Sequence, residues 1–198
     1  MKKDLLIVFL RAPERGRVKT RLAATLGDDR ALAIYRELLD HTLHVSAPVR
    51  CTKQAWYADG IPDIDIAADH GFAARIQQGK DLGERMAHAI ANGFDDGYDR
   101  VMIIGTDCPG ISTTVLEEAF TALDRQDAVI GPARDGGYYL LGMRRMIPDV
   151  FHDKVWSSDT VLRSTIADLD SLDATYSLLP ELIDVDTEAD LDAIGRSN

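Results

Sequence analysis

Cysteine is nearly missing from this chain: Cys51 and Cys108 are the only two among 198 residues. Two thiols make neither a disulfide framework nor a cysteine-rich zinc site. Long apolar runs are missing too. The most strand-like stretch, Leu5 to Leu10, falls far short of the roughly 18 residues a membrane helix needs, and Arg11 closes it. The stretch follows Lys2 and Lys3, but Asp4 interrupts it and it is too short for the core of a signal peptide. A cytoplasmic protein without a membrane span is expected. Positive charge is in deficit, with 22 basic against 33 acidic residues and a net charge of −11. That balance disfavours a nucleic-acid binder with a broad phosphate-neutralising face. The five histidines show no metal-ligand spacing.

What is present suits a globular domain. Hydrophobic residues make up 45% and charged residues 28% of the chain, enough for a packed core and unlike disordered or fibrous proteins. The length predicts a single domain over 1–198. Charge is unevenly spread. Between Arg11 and Arg21 five basic residues, Arg11, Arg15, Arg17, Lys19 and Arg21, meet only Glu14, whereas 168–198 holds nine carboxylates and one arginine. A cationic loop on an acidic protein suggests a small anionic ligand; a solvated basic turn is the plain alternative.

Leu5 to Leu10 reads as a central strand buried on both faces. Asp28 and Asp29 offer N-caps to a helix carrying Leu32, Tyr35, Leu38, Leu39, Thr42 and Leu43 inward and ending before Pro48. Strands are expected over Val49 to Tyr57 and, briefly, Ile64 to Ala67, then a helix over Leu82 to Phe94 and a strand over Val101 to Gly105. Thr114 and Glu117 have capping-box spacing for a following helix. Two strands, Ala128 to Gly131 and Tyr138 to Gly142, a helix over Asp159 to Leu169, a short strand near Tyr176 and a last helix over Thr187 to Ile194 complete the pattern. Strands alternating with helices predict an α/β fold, a three-layer sandwich with a mostly parallel sheet covered on both faces. Ligands bind beyond the carboxyl ends of such strands. The loops after Leu10, Gly105 and Gly131 are therefore the places to look for function.

The first loop, Arg11 to Arg21, is neither a Walker A loop, since only Gly16 lies near Lys19-Thr20, nor a dinucleotide fingerprint of three spaced glycines. It offers a glycine that lets the backbone turn closely, and Lys19 and Arg21 to neutralise phosphates. In the second loop Asp107 ends a buried strand, where it serves a divalent cation or a turn. Magnesium takes few protein carboxylates and completes its octahedron with phosphates and water. Alternation places Asp184 and Asp186 on one side of an extended segment, although Asp186 also stands where it would cap the last helix. Gly136 and Gly137 hold Asp135 at a loop tip, as a plain hairpin turn would. Trp156 suits a core or lid position.

Together Pro13-Glu-Arg-Gly-Arg-Val-Lys-Thr-Arg-Leu22, Asp81-Leu-Gly-Glu-Arg-Met86, Gly105-Thr-Asp-Cys-Pro109, Asp135-Gly-Gly-Tyr-Tyr-Leu-Leu-Gly142, Trp156-Ser and Asp184-Val-Asp-Thr187 resemble a bacterial family in the nucleotide-diphospho-sugar transferase superfamily. More distantly they resemble the phospholactate guanylyltransferases and molybdopterin nucleotidyltransferases. The resemblance implies a Rossmann-like glycosyltransferase A fold. It implies Arg11, Pro13, Gly16, Lys19, Arg21, Gly83 and Arg85 around a nucleotide, and Asp107 with Asp186 on Mg2+ or Mn2+. The chain has one Asp in its metal loop where many sugar transferases have Asp-x-Asp, and its first loop lacks the glycine-rich opening of typical nucleotidyltransferases.

The expected activity is magnesium-dependent glycosyl transfer from a nucleotide-sugar to a small-molecule acceptor. Nucleotidyl transfer to a small phosphorylated acceptor, with pyrophosphate release, is the first alternative, and a non-catalytic nucleotide-binding regulator the second. In either reaction Lys19 and Arg21 hold phosphate oxygens and Asp135 orients or deprotonates the acceptor.

Overall fold

A computed structural model describes residues 2–195. In chain order the elements are β1 (Asp4–Leu10), α1 (Thr20–Leu26), α2 (Asp28–Ser46), β2 (Thr52–Tyr57), α3 (Ile66–Asp69), β3 (Ala73–Ile76) and α4 (Leu82–Asp95). There follow β4 (Arg100–Ile104), α5 (Thr113–Ala122), β5 (Ala128–Pro132), β6 (Tyr138–Met143), a 3-10 turn at Pro148–Phe151, α6 (Val161–Ser171), β7 (Tyr176–Leu178) and α7 (Glu188–Gly195). The strands form one sheet in the order β3-β2-β1-β4-β6-β5-β7. Pairing is parallel except where β6 runs antiparallel between β4 and β5.

Both faces of the sheet are covered, which is why β1 is an unbroken apolar run. Leu6, Val8 and Leu10 pack with Tyr35, Leu39 and Leu43 of α2 and Leu116 and Phe120 of α5. Leu5 and Ile7 face the opposite way, toward Met86 and Ile90 of α4 and Leu169 of α6. A third cluster joins Leu22 of α1, Ala31, Ile34 and Leu38 of α2, and Val185. It is small, but it brings the acidic end of the chain against the basic loop.

Four local expectations are corrected. Ile64 to Ala67 is no strand: Asp65 caps α3 by accepting from the Ala67 amide, and the true third strand is the mostly exposed β3. Asp28 and Asp29 lie inside the first turn of α2, whose N-cap is Gly27. Ser112, accepting from the Val115 amide, caps α5 in place of Thr114. Before α7 the Thr187 amide and hydroxyl both donate to Asp190 Oδ2 at 2.7 Å, and the Asp186 carboxylate pairs with Lys19 and Arg21.

From β1 the chain steps outward to β2 and β3 and then returns to β4 on the other side of β1. The crevice between the carboxyl ends of β1 and β4 is the position where open α/β sheets bind ligands. Arg11 and the Gly105–Asp107 loop lie at its mouth.

Candidate active site

Three sets of bonds shape the crevice. Tyr35 of α2 pins the start of the basic loop, its hydroxyl accepting from the Arg11 amide and donating to the Arg11 carbonyl, both at 2.9 Å. The Val185 amide donates to the Asp107 carbonyl at 2.9 Å, tying the acidic segment to the loop after β4. Val185 itself is 1% exposed, so the residues on either side, Asp184 and Asp186, point the other way along the extended chain.

Lys19 lies where these segments meet. Its Nζ is 2.7 Å from Asp107 Oδ1 and 3.0 Å from Asp186 Oδ1, and its side chain is only 4% exposed. Burial alone would lower the ammonium pKa, but the two aspartates outweigh it and hold it above the ordinary lysine value. The Lys19 backbone is left-handed, with φ 47° and ψ 48°, at the position preceding α1. That conformation costs a non-glycine residue about 1–2 kcal/mol. Arg21, mostly exposed, reaches Asp186 Oδ2 at 3.7 Å.

The crevice has two lobes. One, of about 710 Å³, is lined by Arg11, Arg17, Lys19, Arg21, Lys80 and Arg85 among its side chains, with Asp81, Asp107 and Asp186 as its carboxylates. The other, of about 310 Å³, is lined by Asp107, Asp135, Asp184 and Asp186, with walls from Phe9, Met86, Tyr138 and Trp156. Arg21, Asp107 and Asp186 border both.

Asp184 is the most perturbed carboxyl here. Burial, and then the charges of Asp135, Asp107 and Asp186, push its pKa up to about 6, against a hydrogen bond from the Cys108 thiol that lowers it. The Cys108 thiol is itself raised by burial and by Asp184, so it is an inert donor and no nucleophile. Asp135 is exposed at the β5–β6 turn, where its Oδ1 accepts from the Gly137 amide at 2.9 Å. Gly136, at φ +90°, lies against the Asp159 backbone where a Cβ would collide.

Of the residues singled out from sequence, Arg11, Lys19, Arg21, Arg85, Asp107 and Asp186 line the first lobe, and Asp135 lines the second. Pro13, Gly16 and Gly83 do not line either. Gly16 turns the basic loop at φ +76°, and Gly83 admits the Trp156 ring, which any Cβ there would strike. Asp184, placed beside Asp186 by the alternation of the extended segment, lines the second lobe, and Lys80, Gln77, Thr106 and Ser157 are further lining residues without a role in the sequence analysis. The alternation at 184–186 was the signal for Asp184; nothing in the spacing pointed to Gln77.

The donor set suits a hard divalent cation. Carboxylate oxygens of Asp107 and Asp186 already share one cationic group, the Lys19 ammonium, and each side chain keeps about 40% of its surface exposed. Among the described residues no three acidic, histidine or cysteine side chains converge to hold a metal alone, so phosphates and water would have to supply the remaining ligands. Among these residues, too, no helix is long and apolar enough to cross a membrane.

A candidate nucleotide-diphospho-sugar transferase from Desulfovibrio desulfuricans G20 superposes with a TM-score of 0.91 and 37% identity, covering 100% of this chain and 88% of that one. A phosphoenolpyruvate guanylyltransferase from Sphaerobacter thermophilus is 27% identical over 117 residues, 59% of this chain and 56% of that protein; the match thus spans little more than half of the relative. A Mycobacterium tuberculosis H37Rv protein crystallised with manganese shares the fold at a TM-score of 0.59 and 15% identity, each chain covered fully. Over residues 18–158 the chain matches the model of the family described as uncharacterized proteins conserved in bacteria, DUF2064, and it belongs to that family.

Proposed function

We propose that this protein is a divalent-cation-dependent nucleotidyltransferase, binding a nucleoside triphosphate in the basic lobe and an acceptor hydroxyl in the acidic one. The observation that carries the reading is the convergence of Lys19, Arg21, Asp107 and Asp186 on the mouth of one crevice between β1 and β4. The likeness to a guanylyltransferase supports it.

Asp107 and Asp186 would hold Mg2+ or Mn2+, which when bound neutralises phosphate charge and polarises phosphoryl oxygens. Lys19 and Arg21 hold oxygens of the departing pyrophosphate, with Arg11, Arg17, Lys80 and Arg85 around its outer end. Fixed cations placed where charge accumulates commonly lower a barrier by several kcal/mol, about 3 for one donor. The acceptor oxygen bonds to the α-phosphorus, and the bond from that phosphorus to the α–β bridging oxygen breaks. Pyrophosphate leaves with the bridging oxygen. The hydroxyl proton passes to Asp135, whose exposed carboxylate borders the acceptor lobe.

A second reading, glycosyl transfer from a nucleotide-sugar, is favoured by the likeness to the Desulfovibrio protein. The same phosphate contacts would serve, but the leaving group would be a nucleoside diphosphate. A thermal-shift panel of nucleoside triphosphates and nucleotide-sugars, with and without Mn2+, separates the readings by which donor class stabilises the fold. Identification of the released phosphate completes the test. Stabilisation by none of them removes both.

A further inference from the structure

The two lobes differ in charge as well as in size. In the larger, six cationic side chains outnumber three carboxylates. In the smaller, Arg21 is the only cation lining the wall among the described residues, against Asp107, Asp135, Asp184 and Asp186. Lys19 and Arg21 are already paired with Asp107 and Asp186. Among the described residues Asp135 and Asp184 have no ion-pair partner, so they leave the small lobe with uncompensated negative charge. Phe9, Met86, Tyr138 and Trp156 give it apolar and aromatic walls, beside Ser157 and Ser158. Trp156 is set there by Gly83, whose missing side chain makes room for the ring.

A phosphorylated or carboxylated molecule entering this lobe would meet the unpaired charges of Asp135 and Asp184, with Arg21 as the lining cation and any divalent ion on Asp107 and Asp186 engaged by the nucleotide phosphates. One such uncompensated contact at several ångströms is worth roughly a hundredfold in affinity. An amine or a neutral hydroxyl compound meets carboxylates that accept its protons and aromatic faces that favour a cation or an apolar surface. We propose that the acceptor is an uncharged or cationic hydroxyl compound with an apolar face, and that the small lobe rejects anionic acceptors. This rests on the reading that the nucleotide occupies the basic lobe, although the charge of the small lobe is testable without any nucleotide.

Trp156 reports on that charge directly. Trp56 is 4% exposed, so ionic quenchers act on the emission of Trp156. Relative to its quenching of free N-acetyltryptophanamide, caesium should be at least threefold more effective than iodide, and this normalised ratio should fall toward one in Asp135→Asn/Asp184→Asn. Equal or stronger quenching by iodide on the same scale overturns the inference, while leaving nucleotide binding in the other lobe untouched. The second measurement uses a matched pair of acceptors that both keep a free hydroxyl, with the nucleotide that stabilises the protein: glycerol against glycerol 3-phosphate. The unphosphorylated member should be used at least about a hundredfold better in kcat/KM; preference for the phosphorylated member overturns the inference. Failure of every nucleotide to bind would instead sink the proposed function, and the quenching ratio would still decide the nature of the lobe.

Discussion

Lys19 Nζ lies 3.0 Å from Asp186 Oδ1 across 167 residues of sequence, and no local structure could make that contact. It exists because the Leu22–Val185 cluster docks the acidic segment beside α1 and because the Val185 amide is tied to the Asp107 carbonyl. A basic loop and an acidic strand that would each be solvated alone thereby become one site.

Replacing Lys19 by methionine keeps the apolar stem and removes the charge. Nucleotide binding should weaken more than tenfold, the usual scale for a buried charge-assisted phosphate contact. Stability should fall by about 2 kcal/mol, discounted for the two half-exposed aspartates it pairs. Because the folded-state pKa of Lys19 is raised above its ordinary 10.5, the stability gap to wild type should be full below that value. It should close as pH rises through the folded-state value, as urea melts at several pH values would show.

Asp107→Ala should abolish the Mn2+-dependent part of any nucleotide-induced thermal shift while costing the free protein no more than about 2 kcal/mol, since Asp186 still pairs the buried Lys19 ammonium. The side chain is 42% exposed and caps no helix, Ser112 doing that for α5. A loss of several kcal/mol in a chemical melt would instead mark Asp107 as a structural group.

Much of this site was visible in the sequence because its parts are chemically distinctive: a cationic loop on an acidic chain, Asp107 closing an apolar strand, and Asp184 and Asp186 at strand spacing. The central strands were visible for the same reason, since burial on both faces demands continuous apolar runs such as Leu5 to Leu10. α1 was not, because Thr20–Leu26 is short and begins at a left-handed lysine without a side-chain cap. β3 was hidden by its position at the sheet edge, where three of its four residues are exposed and no apolar pattern is required. The pairing of Lys19 with both aspartates is a tertiary fact with no local signature.

Far from the crevice, Asp127 is 8% exposed and takes bonds from Arg144, Arg145 and the Thr175 amide, joining β5, β6 and β7 at the other end of the sheet. The Arg145 and Arg144 guanidiniums outweigh its burial and hold its carboxyl well below the usual range. Its contribution is therefore present above the ordinary aspartate value of about 4 and is lost as pH falls through the depressed one. Asp127→Asn should cost about 2 kcal/mol at neutral pH and flatten that acid limb in guanidinium melts.

Gly83→Ala places a Cβ in the Trp156 ring. The expected cost is about 2 kcal/mol from displacement of the indole or of the first turn of α4, together with a shift in tryptophan emission. Unchanged emission and stability would show that Trp156 is not held against α4.

The convergence of phosphate-binding cations and metal-binding carboxylates is tested most directly by calorimetric titration of the wild-type protein with each nucleoside triphosphate and with nucleotide-sugars, with Mn2+ and with chelator. One donor should bind at a single site with Mn2+, at least tenfold more weakly with chelator, and not measurably to the Lys19→Met variant. Absence of binding by every donor, or binding indifferent to both the metal and Lys19, would contradict the assignment of the crevice as a nucleotide site.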